Sequence, residues 1–219
     1  MSRQRVVSFL SGTMQIDLRR ELEVLKAKGA ESRKQKDLLW RKLCEVVATT
    51  GSVVHANEFM AMYEDRLAFD KLSTSEPERT HDIFRALEEA NVPRWRQIKA
   101  QHLSANYELV NQLGGPVDAT IEMLKQEGRQ SKMQWLLQFH GVGAKYSRNI
   151  WMDICDPDFC NSIALDARVK TFAEKLGFDR NSNTLEADLL EFAKSCKLNG
   201  WEFDRLVFNF GDLILQQSR

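Results

Sequence analysis

The sequence predicts an all-α protein, and three observations carry that reading. No stretch sustains the period-two alternation of a half-buried strand. Apolar residues recur instead at helical spacing through most of the chain. The prolines, Pro77, Pro93, Pro116 and Pro157, all fall where that spacing breaks. At 219 residues the chain accommodates one large domain or two small lobes, with ample length for a buried core.

The elements follow in order. Residues 16–28 form a charged amphipathic helix with Leu18, Leu22 and Leu25 on one face, and Gly29 is placed to end it. Residues 37–50 carry Leu39, Leu43, Val46 and Val47 at the spacing of a helix against the core, and the Thr49-Thr50-Gly51-Ser52 run reads as a turn. Helices are predicted over 56–64, 78–90 and 94–113, closed by the break at Gly114-Gly115-Pro116. Shorter helices at 120–126 and 131–139 lead into His140-Gly141-Val142-Gly143, after which a helix runs from 144 to about 154. Helices at 166–176, 185–196 and 201–215 complete the pattern. No repeat with a period of roughly 20–50 residues is present, which argues against a solenoid.

Composition excludes several classes. Hydrophobic residues at 43% and charged residues at 28% describe an ordinary soluble globular protein rather than a disordered, collagenous or disulfide-stapled one. No apolar run approaches the roughly 18–20 residues that span a bilayer, so no membrane partner is expected. The first residues are apolar too briefly for a secretory signal, so an intracellular protein is expected, in the cytoplasm or nucleoid, or in the nucleus of a eukaryote. Cys44, Cys155, Cys160 and Cys196 form no C-x-x-C pair, so neither a zinc site nor an iron–sulfur cluster is indicated, and no metal is expected on side chains.

The 31 Lys plus Arg balance 31 Asp plus Glu, unlike a strongly basic nucleic-acid binder. A binder needs only a local patch, however. Lys125, Arg129, Lys132, Lys145 and Arg148 cluster against Glu127 alone, and the next stretch carries Asp153, Asp156, Asp158 and Asp166 with no positive residue. A phosphate-facing surface and an ordinary solvated basic face both fit that cluster, and charge alone favours the second.

The stretch from Trp135 to Tyr146 is the most informative. An apolar helix ends in Gly141-Val142-Gly143 and a second helix starts at once, which allows a tight turn between two nearly antiparallel helices. Backbone amides at such a helix start can bind a phosphate oxygen without reading sequence, although a plain helix–helix turn has the same letters. Lys145 stands in the first turn of the second helix, where the positive end of the helix, and burial if present, favour the neutral, nucleophilic amine. Asp166, between Leu165 and Val169 at the start of another helix, has the position of an N-cap.

Together these pieces resemble the helix-hairpin-helix DNA glycosylase superfamily. Its signature is Leu-Pro-Gly-Val-Gly-x-Lys, a helix, Val-Asp-x-His or Val-Asp-x-Arg, and a helix ending in Leu-Gly. Here it reads Phe139-His140-Gly141-Val142-Gly143-Ala144-Lys145, then Leu165-Asp166-Ala167-Arg168, then Leu176-Gly177, with His140 for the proline and Leu165 for the valine. The resemblance extends loosely over residues 37–215. It implies two helical lobes with a cleft between them: residues 37–150 as a central lobe ending in the hairpin, and 1–36 with 151–219 as the other.

The lysine implies the bifunctional type, a base-excision-repair DNA glycosylase with AP lyase activity. Lys145 would be the nucleophile and Asp166 the catalytic carboxylate. Gly141, Val142 and Gly143, with Arg148 and Lys132, would contact double-stranded DNA containing a damaged base, and a monomer is expected. A monovalent cation on the hairpin backbone is implied, and no other cofactor. Lacking cluster cysteines, the chain is closest in character to the branch that excises 8-oxoguanine, an oxidised purine. The Gly200-Trp201 helix resembles that branch too, placing Asp204 and Phe208 at the base pocket. Thr49 or Thr50 would be the wedge that fills the hole left by the flipped base. The alternatives are a non-catalytic helix-hairpin-helix DNA-binding protein and a helical protein–protein adaptor.

Overall fold

The computed structural model describes residues 2–12 and 16–218, and among these helix is the regular secondary structure throughout. The chain divides into two compact units, Arg33–Ile150 and the discontinuous pair Met1–Ser32 with Trp151–Arg219.

The discontinuous unit begins with α1 (Arg3–Gly12) and α2 (Ile16–Ser32). Helix α1 was not anticipated from the sequence: Val6 and Leu10 are its only buried apolar positions, too few for a periodic signal. Its anchor is Arg3, which donates to the Leu176 carbonyl at 2.9 Å and the Gly177 carbonyl at 2.8 Å and stacks on the Phe178 ring. Helix α2 does not stop at Gly29, as expected, but continues to Ser32. A Cβ at Gly29 would stand 2.5 Å from Cys155 Sγ, so this glycine serves a close approach within the unit and not a helix end.

The continuous unit is built on α3 (Leu38–Thr49), whose Leu39, Leu43, Val46 and Val47 are buried as their spacing requires. Helix α4 (Ala56–Ala61) ends earlier than expected because the chain widens into a π-turn at Tyr63–Leu67, closed by an Ala68 N–H to Tyr63 carbonyl bond of 2.7 Å. Tyr63 donates its hydroxyl to Asp37 at 2.7 Å, which fixes that turn against the head of α3. Helix α5 (Glu76–Glu89) starts with Pro77 in its first turn, where a missing N–H is harmless. Helix α6 (Arg96–Gln112) begins later than the sequence implies because Arg94 and Trp95 take left-handed φ values of 60° and 53°.

Helices α5 and α6 pair around Arg79, which is fully buried yet satisfied by Glu108 at 2.6 Å, Ser104 at 3.0 Å and the Ser73 carbonyl at 3.0 Å. Helices α7 (Pro116–Leu124) and α8 (Arg129–Leu136) follow, and α9 (Ala144–Asp153) carries the chain across the unit boundary.

Helices α10 (Ala167–Lys175), α11 (Leu185–Ser195) and α12 (Gly200–Gln217) complete the discontinuous unit. A reciprocal capping box of Asn199 and Glu202 starts α12, and the helix breaks at Phe210, where φ is −132°. Phe203 of α12 packs edge-on against Phe172 of α10 and Phe192, so one aromatic ring ties the three helices together.

Candidate nucleic-acid interface and catalytic residues

The hairpin between α8 and α9 is held from inside its own unit. Phe139 and Val142 are buried, and the Val142 amide donates to the Phe139 carbonyl at 3.1 Å. Gly141 takes φ +81°, and a Cβ there would stand 3.2 Å from the His102 ring, so turn geometry and close approach both require glycine. Asn106 of α6 is fully buried and binds both backbone groups of His140, accepting from its amide at 2.7 Å and donating to its carbonyl at 3.0 Å. His102, one turn earlier on α6, faces the His140 ring at 6.0 Å. Burial, and then the charge of His140, push the His102 imidazole below its usual pKa.

The outer side of the hairpin is exposed. Gly141, Gly143, Ala144 and Lys145 lie at the surface. The first intrahelical bond of α9 runs from Ser147 to the Gly143 carbonyl at 2.9 Å. The amides of Ala144, Lys145 and Tyr146 therefore precede that bond and stand at the positive end of the helix. Ser147 also donates its hydroxyl to the Met133 carbonyl at 2.8 Å, which locks α9 to α8. This arrangement can take a phosphate oxygen on backbone N–H groups.

Lys145 is exposed, with its ammonium 5.5 Å from the Tyr146 ring, so the burial considered for it does not act here. Asn149 follows one helical turn later, and its side-chain oxygen is buried without a hydrogen-bond partner. Arg148 is half-buried. Lys132, expected at the DNA surface, is buried instead, because it shares the inward face of α8 with Leu136.

In the other unit, Asp166 caps α10: its side chain accepts from the Val169 amide at 2.9 Å. Arg168 stacks its guanidinium on the Phe208 ring at 4.5 Å. Arg168 and Phe208 line a cavity of about 600 Å³ between α10 and α12, together with Ala167, Phe172, Phe210 and Asp212. Asp204, expected in a base pocket, is only 2% exposed and accepts from the Ala164 amide at 2.7 Å. Burial pushes its carboxyl up to about 6, against the opposing pull of Arg205. Its place on the buried face of α12, with Trp201 and Val207, turns it away from solvent.

Thr49 and Thr50, expected as the wedge, stand half-buried at the end of α3. Thr49 donates its hydroxyl to the Glu45 carbonyl at 2.7 Å and Thr50 to the Val46 carbonyl at 2.6 Å, so both side chains fold back onto α3. The exposed apolar side chains beside them are Val53, Val54 and Trp95, at 57%, 54% and 55% exposure. Trp95 sits over Gly51 in the left-handed conformation noted above. Among the described residues, no group of three or more His, Cys, Asp or Glu side chains is placed to hold a metal ion.

No protein-family model and no curated protein sequence matches the chain. Solved structures do match it, and what they share with this chain is the fold. In particular, the chain is similar to the 8-oxoguanine DNA glycosylase of Thermotoga maritima, with a TM-score of 0.69 and 15% identity over 94% of this chain and 95% of that one. It is also similar to the 8-oxoguanine glycosylase/lyase of Methanocaldococcus jannaschii in complex with a 15mer DNA containing 8-oxoguanine, with a TM-score of 0.67 and 12% identity over 94% of each chain. A further structure of the Methanocaldococcus jannaschii 8-oxoguanine DNA glycosylase gives a TM-score of 0.68 and 10% identity, over 99% of this chain and 94% of that one.

Proposed function

We propose that the protein is a DNA glycosylase with AP lyase activity that removes an oxidised purine from duplex DNA. The observation that carries the reading is the exposed start of α9. A clamped Gly-x-Gly turn presents amides to solvent, and Lys145 stands in the first turn of the same helix. The fold shared with 8-oxoguanine glycosylases, one of them in complex with lesion-bearing DNA, supports the substrate class.

The hairpin amides hold a backbone phosphate and set the duplex in register. The resemblance implies a monovalent cation at the hairpin carbonyls. The His140 carbonyl is already engaged by Asn106, and carbonyl oxygens keep a second lone pair, so the turn is chemically suited to such an ion. The Lys145 amine attacks C1′ of the flipped nucleotide. The N-glycosidic bond breaks, its electron pair leaves with the base, and the base takes up a proton. One proton of the attached amine passes to O4′ as the C1′–O4′ bond breaks, which leaves a protonated Schiff base; loss of a C2′ proton then forms the C2′–C3′ double bond as the C3′–O bond breaks and the 3′ phosphate leaves with its electron pair. The Asp166 carboxylate stabilises positive charge on the sugar, and its cap bond fixes its direction. Trp95, with Val53 and Val54, fills the vacated stack in place of Thr49 or Thr50.

The test is incubation with a panel of damaged and abasic duplexes in the presence of borohydride. Released base together with a covalent protein–DNA adduct is the expected result. Salt-sensitive duplex binding with neither product indicates a non-catalytic binder, and the absence of salt-sensitive affinity indicates an adaptor.

A further inference from the structure

Two carboxylates from different helices take consecutive backbone amides of the segment that leads into Asp166. Glu186 of α11 accepts from the Ile163 amide at 3.2 Å, and Asp204 of α12 accepts from the Ala164 amide at 2.7 Å. At the far end of the segment, the Trp201 amide donates to the Cys160 carbonyl at 2.8 Å. The Ala164 carbonyl in turn accepts from the Asp166 amide at 2.7 Å, and the Asp166 side chain holds the Val169 amide. Hydrogen bonds on either side of the Ala164 Cα thus tie this residue to Asp204 through its amide and to Asp166 through its carbonyl, and Asp166 to the head of α10.

A buried amide needs an acceptor, and a neutral one suffices. Here the acceptor is a buried carboxylate with Arg205 at 3.6 Å and further negative charge from Asp166 and Asp153 around it; Arg205 in turn stands 3.4 Å from Asp153. A charged acceptor makes a stronger and shorter bond to an amide than a neutral one. That strength is spent on the residue two positions before Asp166.

We propose that Asp204 is a positioning residue for the reaction, and that with Glu186 it fixes residues 163–165 so that the Asp166 carboxylate is held at one place at the head of α10. The inference rests on the glycosylase reading above. It replaces a base-contacting role for Asp204 with one exerted through the backbone.

The experiment measures single-turnover base excision, affinity for an abasic-site duplex and amide exchange at Ile163, Ala164 and Asp166 in Asp204→Ala, Asp204→Asn and Asp204→Glu. Asp204→Ala removes the acceptor, and excision is expected to fall about 10²-fold, the scale associated with a small misplacement of a reacting group. Affinity for the abasic duplex stays unchanged and the three amides lose protection. Asp204→Asn keeps an oxygen for Ala164 but loses the charge, and recovers part of the loss. Asp204→Glu keeps the charge but displaces the acceptor; it is slow, and it carries the test if the alanine variant fails to fold. Excision by Asp204→Ala at the wild-type rate overturns the positioning role alone. An asparagine variant as slow as the alanine one, with its amides still protected, overturns it in favour of direct substrate contact. Absence of excision by the wild-type protein on every lesion overturns the glycosylase reading itself, whatever the amides show.

Discussion

Asn106 accepts from the His140 amide at 2.7 Å and donates to the His140 carbonyl at 3.0 Å, so one buried side chain occupies both backbone groups of the residue entering the hairpin. Asn106→Ala leaves an amide and a carbonyl without that partner. The expected loss is about 1–3 kcal/mol per unsatisfied group, measured by urea unfolding. Duplex affinity should fall equally on all sequences, because the clamp supports phosphate binding. Unchanged unfolding and binding would show that the hairpin holds its shape without the clamp.

Lys145→Gln should abolish borohydride trapping and leave duplex binding largely intact, because the phosphate contacts come from the backbone. Asp166→Asn should slow base excision by about 10²–10⁴-fold while a preformed abasic site still traps at a reduced rate. Trapping of Lys145→Gln at the wild-type level would assign the nucleophile to another amine.

A side chain at position 143 meets no atom within 4 Å in the protein itself. Gly143→Val should therefore fold normally yet weaken every duplex alike, since its methyl groups stand where a phosphate approaches. Equal affinity at low and at physiological salt would reduce the hairpin to a structural turn.

Trp95→Ala should slow excision of a base-paired lesion more than of the same lesion in single-stranded DNA, where no stack has to be filled. Thr49→Ala and Thr50→Ala, whose hydroxyls point back into α3, should change neither. Equal slowing of both substrates by Trp95→Ala would place the tryptophan outside base eversion.

The Asp204 carboxyl is raised from 3.8 to about 6, chiefly by burial. Its contribution to stability is fully present below pH 3.8 and is lost as pH rises through about 6. The loss is of the order of 3 kcal/mol, at 1.36 kcal/mol per unit. Asp204→Asn should remove that slope, so the difference between its stability curve and that of the wild type, measured from pH 4 to pH 7, should grow as pH rises. Parallel curves would show that the carboxylate ionises as easily inside as outside.

The helices were legible because their buried positions repeat every three or four residues, as Leu39, Leu43, Val46 and Val47 do in α3. Helix α1 was not, since its order depends on Arg3 reaching residues remote in sequence. The left-handed pair Arg94 and Trp95 carries no glycine to announce it. Gly141 and Gly143 marked the hairpin, but the residue that clamps it, Asn106, stands in another helix with nothing local to distinguish it. The direction of the Asp204 side chain was not legible in the sequence. A charged residue among Trp201, Phe203 and Val207 on the buried face of α12 points inward, toward backbone that needs an acceptor.

Arg3 must wait for Leu176 and Gly177 before its guanidinium has anything to hold. A chain emerging from the ribosome completes Arg33–Ile150 while α1 and α2 are still without most of their unit. That stretch can fold during synthesis, whereas the discontinuous unit closes only after translation has passed α12. Its rate then depends on joining distant ends, the slowest kind of contact to form. Ribosome stalling or a truncation inside α12 would therefore leave a finished hairpin-bearing unit attached to α1, α2, α10 and α11 without the helix they share, a species prone to capture by chaperones.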